Sequence, residues 1–433
     1  MSDLIAARAQ MGMSLAFHIV FAVLGMGMPV LMLIAEGMWL RTRDPVALEL
    51  AKRWAKGTAI LFAVGAVSGT VLSFELGLLW PEFMRHAGAL VGLPFSLEGF
   101  AFFTEAIFLG IVLYGRGRVP DRVHWASTLL VAVSGAASGV FVIAVNSWMN
   151  TPAGFRWDGL RAVDVDPWAA MFNPAWLPQS IHMLVAAYLS TGAAVAGLSA
   201  WALLRDPANA LHRRALEIAL WVMVPMALLQ PLSGDLSAKL VARTQPAKLA
   251  AMEGQYRTER GAPLRLGGLP DDEARETRWA IEVPHGLSFL AFGDPDATVV
   301  GLEEVPREDW PNTVVVHLAF QAMVGCGTAL AAVALLVGLQ AARRRRLPNE
   351  RWTLRALACC APLGFVATEA GWVVTEVGRQ PWIIQGVLRT RDAVTPMKGL
   401  IVPFTVFTLL YLFLAVVVVG LIRRQVFPVA RGS

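Results

Sequence analysis

Apolar residues in this chain come in long runs separated by short basic or mixed segments, not in alternation. Nine runs stand out, approximately 11–38, 57–80, 94–115, 124–149, 177–203, 215–234, 313–341, 355–376 and 398–422. A helix that crosses a bilayer needs roughly 20 mostly apolar residues. The pattern therefore predicts an all-α, polytopic membrane bundle of about nine transmembrane helices. We read 1–433 as one transmembrane domain, with no internal repeat. The only sizeable polar stretch, 235–312, is too sparse in apolar residues to fold alone and reads as a cap on one face of the bundle. Within it, QPAKLAAMEGQYRTE has a short helical pattern carrying Lys248 and Glu253, before the stretch turns irregular.

Charge orients the bundle. Short loops on one side hold Arg41, Arg43, Lys52, Arg53, Lys56, Arg116, Arg118, Arg122, Arg205, Arg213, Arg214, the run Arg343 to Arg346, Arg351 and Arg355. The other side has a short loop at 81–93 with only Arg85, and the long loop, which counts little. The positive-inside rule places the N-terminus outside and the C-terminus, with Arg423 and Arg424, in the cytoplasm. Composition agrees: 56% of residues are hydrophobic and 16% charged, the profile of a membrane protein. The net charge of +5 then reflects topology anchors, and no nucleic acid partner is expected. Cys326, Cys359 and Cys360 show no paired spacing, and the first apolar run is too long for a cleavable signal.

Against that background, a few polar groups are expensive. Glu98 and Glu105 are seven residues apart in PFSLEGFAFFTEAIFLGIVLY, so they share one helical face. A carboxylate near the centre of a spanning helix costs several kcal/mol, about 2.5–3.5 on insertion scales. The bland reading makes Glu98 an interfacial residue; the functional one has the acids line a polar interior, ligate a metal or carry protons. His18, His182, His317 and Met323 also lie in apolar runs, and a lone intramembrane histidine is either packed and hydrogen-bonded or functional. His, Met and Glu can all ligate haem iron, and helical bundles hold haem between facing side chains. There is no CxxCH attachment motif, which b-type haems do not need. On residues alone, a redox membrane protein and an ion-coupled transporter both stand. Against the transporter, no inverted repeat or matched pair of Gly/Pro-broken helices is visible.

ARAQMGMSLAFH, SLEGFAFFTEAIFLG, AVNSWMNTPAGF, QSIHMLVAAY, KLAAMEGQY and EAGWVVTEVGRQPW, with the nine-span layout, resemble subunit I of cytochrome bd-type quinol oxidases over essentially the whole chain. GFAFFTEAIF and the short outer loop are more similar to the cyanide-insensitive branch. The resemblance implies an enzyme of the bacterial cytoplasmic (inner) membrane that oxidises ubiquinol or menaquinol and reduces O₂ to water, generating a proton motive force. It implies two b-type haems and one d-type haem, the third being b-type where that cofactor is supplied. It implies as partners a second large membrane subunit and small single-span subunits, within membrane lipid. By the same resemblance, His182 and Met323 are the axial pair of the low-spin haem. His18 and Glu98 serve the high-spin pair, and Trp372 and Arg379 lie beside the cofactors. Glu105 and Glu376 are acids at the oxygen-reducing centre, Glu105 ending an inward proton path, while Lys248 and Glu253 act in quinol oxidation within a periplasmic quinol-binding loop, 235–312. Two departures stand out. Gln321 occupies a position where some members have Arg, and the spacing of Glu98 and Glu105 is seven where some members have eight. A haem protein of this fold with another electron donor is the nearer alternative.

Overall fold

The computed structural model describes residues 2–159, 162–345 and 347–425; Arg346, the last of the four-arginine run, lies outside them. Among the described residues, nine helical segments are long and apolar enough to span a membrane. They are α1 (Asp3–Thr42), α2 (Pro45–Leu79), α3 (Pro81–Tyr114), α4 (Asp121–Asn150), α6 (Trp176–Arg205), α7 (Ala210–Thr244), α10 (Thr313–Arg344), the broken pair α11 (Arg351–Cys360) and α12 (Leu363–Val377), and α14 (Ile401–Gln425). Short helices fill the connections: α5 (Pro167–Met171), α8 (Pro246–Glu253), α9 (Gly286–Phe292) and α13 (Thr390–Ala393). The chain alternates between a basic end, with the short arginine-rich turns, and a loop end, with the long connections.

The helices outrun the apolar stretches that predicted them, and three expected loops are partly helix. At the basic end, the α1–α2 connection is only Arg43 and Asp44. Arg43 takes the left-handed conformation (φ 56°) and Asp44 caps α2 by accepting from Val46 N. Lys52, Arg53 and Lys56 therefore sit on α2. At the loop end, 81–93 is no loop. Pro81 starts α3 at the position where its missing N–H costs nothing. Phe83, Ala87, Leu90 and Val91, at helical spacing, bury one face against Ala6, Ala7 and Trp148. That burial carries the helix through Pro94. Likewise α7 continues through Pro225 and Pro231 to Thr244, so the long loop begins a few residues after 235.

The bundle interior is a continuous packed core. Met28, Leu31, Trp54, Val112 and Ile218 join α1, α2, α3 and α7. Leu216, Met223, Leu330 and Leu357 join α7, α10 and α11. Many apolar side chains elsewhere face outward, such as Phe100, Phe103, Leu409 and Phe413, as a lipid-facing surface requires. The long loop is more regular than its sequence suggests. Three two-stranded antiparallel ribbons, Glu259–Arg260 with Thr298–Val299, Leu264–Leu266 with Ile281–Val283 and Leu269–Asp271 with Glu276–Arg278, fold around a small cluster of Leu249, Ala262, Leu287 and Val299. Both α8 and this loop sit on the loop ends of α7, α10 and α12 through Met252, Val316 and Val374.

Candidate functional site

Two histidines are held in the same way on different helices. His18 Nδ1 on α1 lies 2.9 Å from Ser68 Oγ on α2, and the Ser68 hydroxyl donates to Val64 O at 2.9 Å. With its proton spent on that carbonyl, the serine oxygen accepts from Nδ1–H. His182 Nδ1 on α6 lies 3.0 Å from Ser233 Oγ on α7, and Ser233 donates to Gln230 O at 2.9 Å. Both rings thus take the tautomer with Nε2 as a lone-pair nitrogen. Histidines that ligate metals are commonly fixed this way, by a second-shell acceptor on the other ring nitrogen. Gln230 Nε2 sits 3.2 Å from His182 Nε2 and is the only group described there that meets that lone pair.

Glycines face these groups. A Cβ on Gly69 of α2 would meet His18 Cε1 at 3.0 Å, and one on Gly371 of α12 would meet Met323 Sδ at 3.1 Å. Gly234 stands in the same relation to His182 at 3.5 Å, and Gly135 of α4 to the Glu105 carboxylate at 3.4 Å. At Gly69 and Gly371, hydrogen in place of a methyl lets the facing side chain seat against the neighbouring helix, while at Gly234 and Gly135 a methyl would make ordinary contact. The donor set suits haem iron: imidazole Nε2 on α1 and α6, thioether on α10 and carboxylate on α3. Trp372 packs beside Ile19, Met183 and Tyr188, between α1 and α6.

Both α3 acids face α4. Glu98 accepts a hydrogen bond from Ser138 Oγ at 3.1 Å, and Glu105 lies against Gly135, three residues before that serine. Glu98 is not at a helix start, because α3 begins at Pro81. Glu105 is buried at 6% exposure, about 13 Å along the helix from its basic end at 1.5 Å per residue. Glu75 is a third buried acid: it accepts from Gln10 Nε2 and Ser14 Oγ of α1, both at 2.9 Å.

At the loop end a chain of polar groups crosses the bundle. Lys248 of α8 donates from Nζ to Asn150 Oδ1 at 2.5 Å. Asn150 Nδ2 donates to Asn146 O at 2.9 Å, and Asn146 Nδ2 donates to Glu376 Oε1 at 2.5 Å. Arg379 Nη2 closes the chain on Glu376 Oε2 at 2.5 Å, while its Nη1 donates to Ile383 O. Arg379 and Lys248 are buried, at 2% and 5% exposure. Burial, then the Arg379 guanidinium, depresses Lys248 to about 7, with Glu376 opposing. Beside the lysine is a cavity of about 130 Å³ lined by Gln245, Gly378, Arg379, Trp382 and Asp309. Gln245 is 3% exposed, and neither polar atom of its side chain has a protein partner.

Glu253, at the other end of α8, does not join that chain. It is 4% exposed, its Oε2 has no hydrogen-bond partner, and burial raises it to about 8 with Arg265 opposing. Asn146 and Asn150 give no signal in the sequence beyond asparagines ordinary near a helix end. Ser68, Ser233 and Gln230 had a usable signal, polar residues in apolar helices, that went unweighed.

Helices of this length, with apolar outer faces and histidines fixed inside, define a polytopic helical membrane protein whose interior can ligate haem. More particularly, the family model for cytochrome bd terminal oxidase subunit I matches residues 6–428, and the chain belongs to that family. A relative from Bacillus subtilis (strain 168), whose name marks it as a candidate cytochrome bd menaquinol oxidase subunit I, is 37% identical over 97% of this chain and 95% of its own length. A second from the same organism, named cytochrome bd ubiquinol oxidase subunit 1, is 31% identical over 98% and 94%. Among solved structures, the bd oxidase from Geobacillus thermodenitrificans superposes with a TM-score of 0.92 at 36% identity, covering 98% of each chain.

Proposed function

We propose that this chain carries the haem ligands and the quinol site of a terminal oxidase. As a bd-type subunit of the bacterial inner membrane, it belongs to an enzyme that oxidises quinol, reduces O₂ to water and generates a proton motive force. His182 and Met323 hold the low-spin haem, and His18 and Glu98 serve the two high-spin haems. The complement we propose is two b-type haems and one d-type haem, and the complex includes a second large membrane subunit. Bound haem supplies one-electron carriage and oxygen reduction. The observation that carries the reading is the matched pair of histidines, each with Nδ1 spent on a neighbouring serine so that Nε2 carries the lone pair iron would use, which in His182 now faces Gln230.

The chain's own residues do the rest. Quinol, whose headgroup offers two hydroxyls, docks in the cavity beside Lys248, where the unpartnered amide of Gln245 can pair with it and Trp382 provides an aromatic wall. Glu253 takes a proton from quinol as a carboxylate. The cap on which α8 sits, within 235–312, faces the outside by the positive-inside rule, so those protons leave outward. Glu105, buried against α4 nearer the basic end, holds and passes protons from the cytoplasmic side. Glu376, fixed by Arg379 and Asn146, stands beside the same chemistry with Trp372 and Arg379 flanking the cofactors. Outward release with inward uptake separates charge without a pump.

The test is quinol-driven oxygen uptake by the purified complex, with Lys248→Ala and Gln245→Ala compared. The reading expects KM for quinol to rise in both while the dithionite-reduced spectrum stays that of the parent. Unchanged KM in both variants would mean that another donor, or another site, feeds the chain.

A further inference from the structure

His317, first met as one of the intramembrane histidines, ligates nothing in this reading. It is fully buried near the start of α10, and both ring nitrogens face backbone carbonyls of the cap. Nδ1 lies 2.8 Å from Met252 O and Nε2 lies 3.0 Å from Gly267 O. One helical turn on, Gln321 takes hold of the same segment. Its Nε2 donates to Arg265 O at 3.0 Å, and its Oε1 accepts from Gly267 N at 3.1 Å. Gly267 sits at φ +66°, a conformation that favours glycine, so the turn presents its N–H and its C=O to one helix face. Gln321 thus serves the cap.

What these contacts hold is specific. Met252 immediately precedes Glu253, so His317 fixes the carbonyl next to that carboxyl. Arg265, whose carbonyl Gln321 holds, is the cation nearest in effect to Glu253 and reaches Gln255, Glu259 and Glu282 with its guanidinium. A further tie, Thr277 Oγ1 to Gly254 O at 2.8 Å, binds the next ribbon to the end of α8. Met323 lies two residues beyond Gln321 on the same helix.

We propose that His317 and Gln321 are positioning residues for quinol oxidation: they clamp the C-terminal end of α8 and the 265–267 turn onto α10, and so set the Glu253–Arg265 geometry. This rests on the reading that quinol is oxidised at α8. The clamp fixes the cap to the helix that bears Met323, so the donor site and that side chain are held in one frame.

The experiment uses the purified complex with His317→Leu, Gln321→Leu and the milder Gln321→Glu, which keeps the acceptor for Gly267 N–H but loses the donor to Arg265. Losing one or two such bonds predicts a rise in quinol KM of about tenfold in the Leu variants, with a smaller rise in Gln321→Glu. Turnover at saturating quinol should fall less than about twofold. Trypsin should cut the cap, rich in arginine, faster than in the parent, and the reduced haem spectrum should be unchanged. Unchanged KM with unchanged cleavage would overturn the clamp. Loss of the low-spin band with KM preserved would overturn it too, by assigning the pair to the packing of α10. Faster cleavage with unchanged KM would overturn the positioning role. If Lys248→Ala then also left KM unchanged, the error would lie in placing the quinol at α8.

Discussion

Lys248 and Glu376 are joined through Asn150 and Asn146, although one residue belongs to the cap and the other to α12. Every donor in the run points from the lysine toward the carboxylate, and Arg379 completes its other oxygen. Lys248 and Glu376 are therefore parts of one electrostatic unit. Removing the middle of it should be felt at the lysine first. Asn150→Leu leaves a buried amine without its acceptor, a loss worth about 1.5–3 kcal/mol for a charged hydrogen bond. We expect quinol KM to rise about tenfold or more, measured by oxygen uptake against quinol concentration, with haem content unchanged.

The pH dependence of quinol oxidation should report the two buried groups of α8. Lys248 is a cation below about 7, and above that it loses the charge with which it would hold a quinol oxygen. KM should therefore rise with pH through about 7, and Lys248→Met should flatten that limb. Glu253 becomes a carboxylate, able to take a proton, only as pH rises through about 8. Turnover should climb with pH there, and Glu253→Gln should abolish the climb and lower the rate about 10²-fold, as loss of a general base commonly does. Steady-state kinetics between pH 6 and 9 (about this range spans both groups) checks both.

In the proposed function Glu105 holds a proton and does not bind iron. Glu105→Gln should slow oxygen reduction about 10²-fold while leaving the low-spin spectrum and quinol KM intact. Unchanged turnover, followed by flash or stopped-flow spectroscopy of the reduced enzyme, would remove it from the proton path.

The glycines opposite the ligands give a steric test. Gly371→Val puts added bulk where Met323 Sδ now seats, and Gly69→Ala brings a methyl to 3.0 Å from His18 Cε1, inside van der Waals contact. Gly371→Val should weaken the low-spin band, while Gly69→Ala should perturb the high-spin features. Each should leave the other set intact in difference spectra.

Much of this architecture was legible in the chain. The nine apolar runs marked the spans because lipid exposure forces long apolar helices, and the expensive polar residues inside them marked His18, His182, Met323, Glu98 and Glu105. The helix ends were not legible. Segments such as 81–93 are mixed in polarity, and only the packing of Phe83, Leu90 and Val91 against α1 and α4 makes them helical. The asparagine link from Lys248 was hidden for a different reason. Asn146 and Asn150 are ordinary at a helix end, and their role depends on α8 and α12 arriving there from residues about 100 and 230 positions away. His317 was legible as unusual but not as a clamp, since its partners are backbone carbonyls that no side-chain motif announces.

The central claim, that the serine-anchored histidines carry iron, is tested most directly by a reduced-minus-oxidised visible spectrum with pyridine haemochrome quantitation. It would be run on the purified complex and on His182→Ala and Met323→Leu. The account predicts b-type bands with a chlorin band in the parent, or b-type bands alone where no haem d is supplied. In each variant the low-spin b-type band is lost selectively and the high-spin features are retained. Well-folded protein without haem, or variants whose low-spin band matched the parent's, would contradict it.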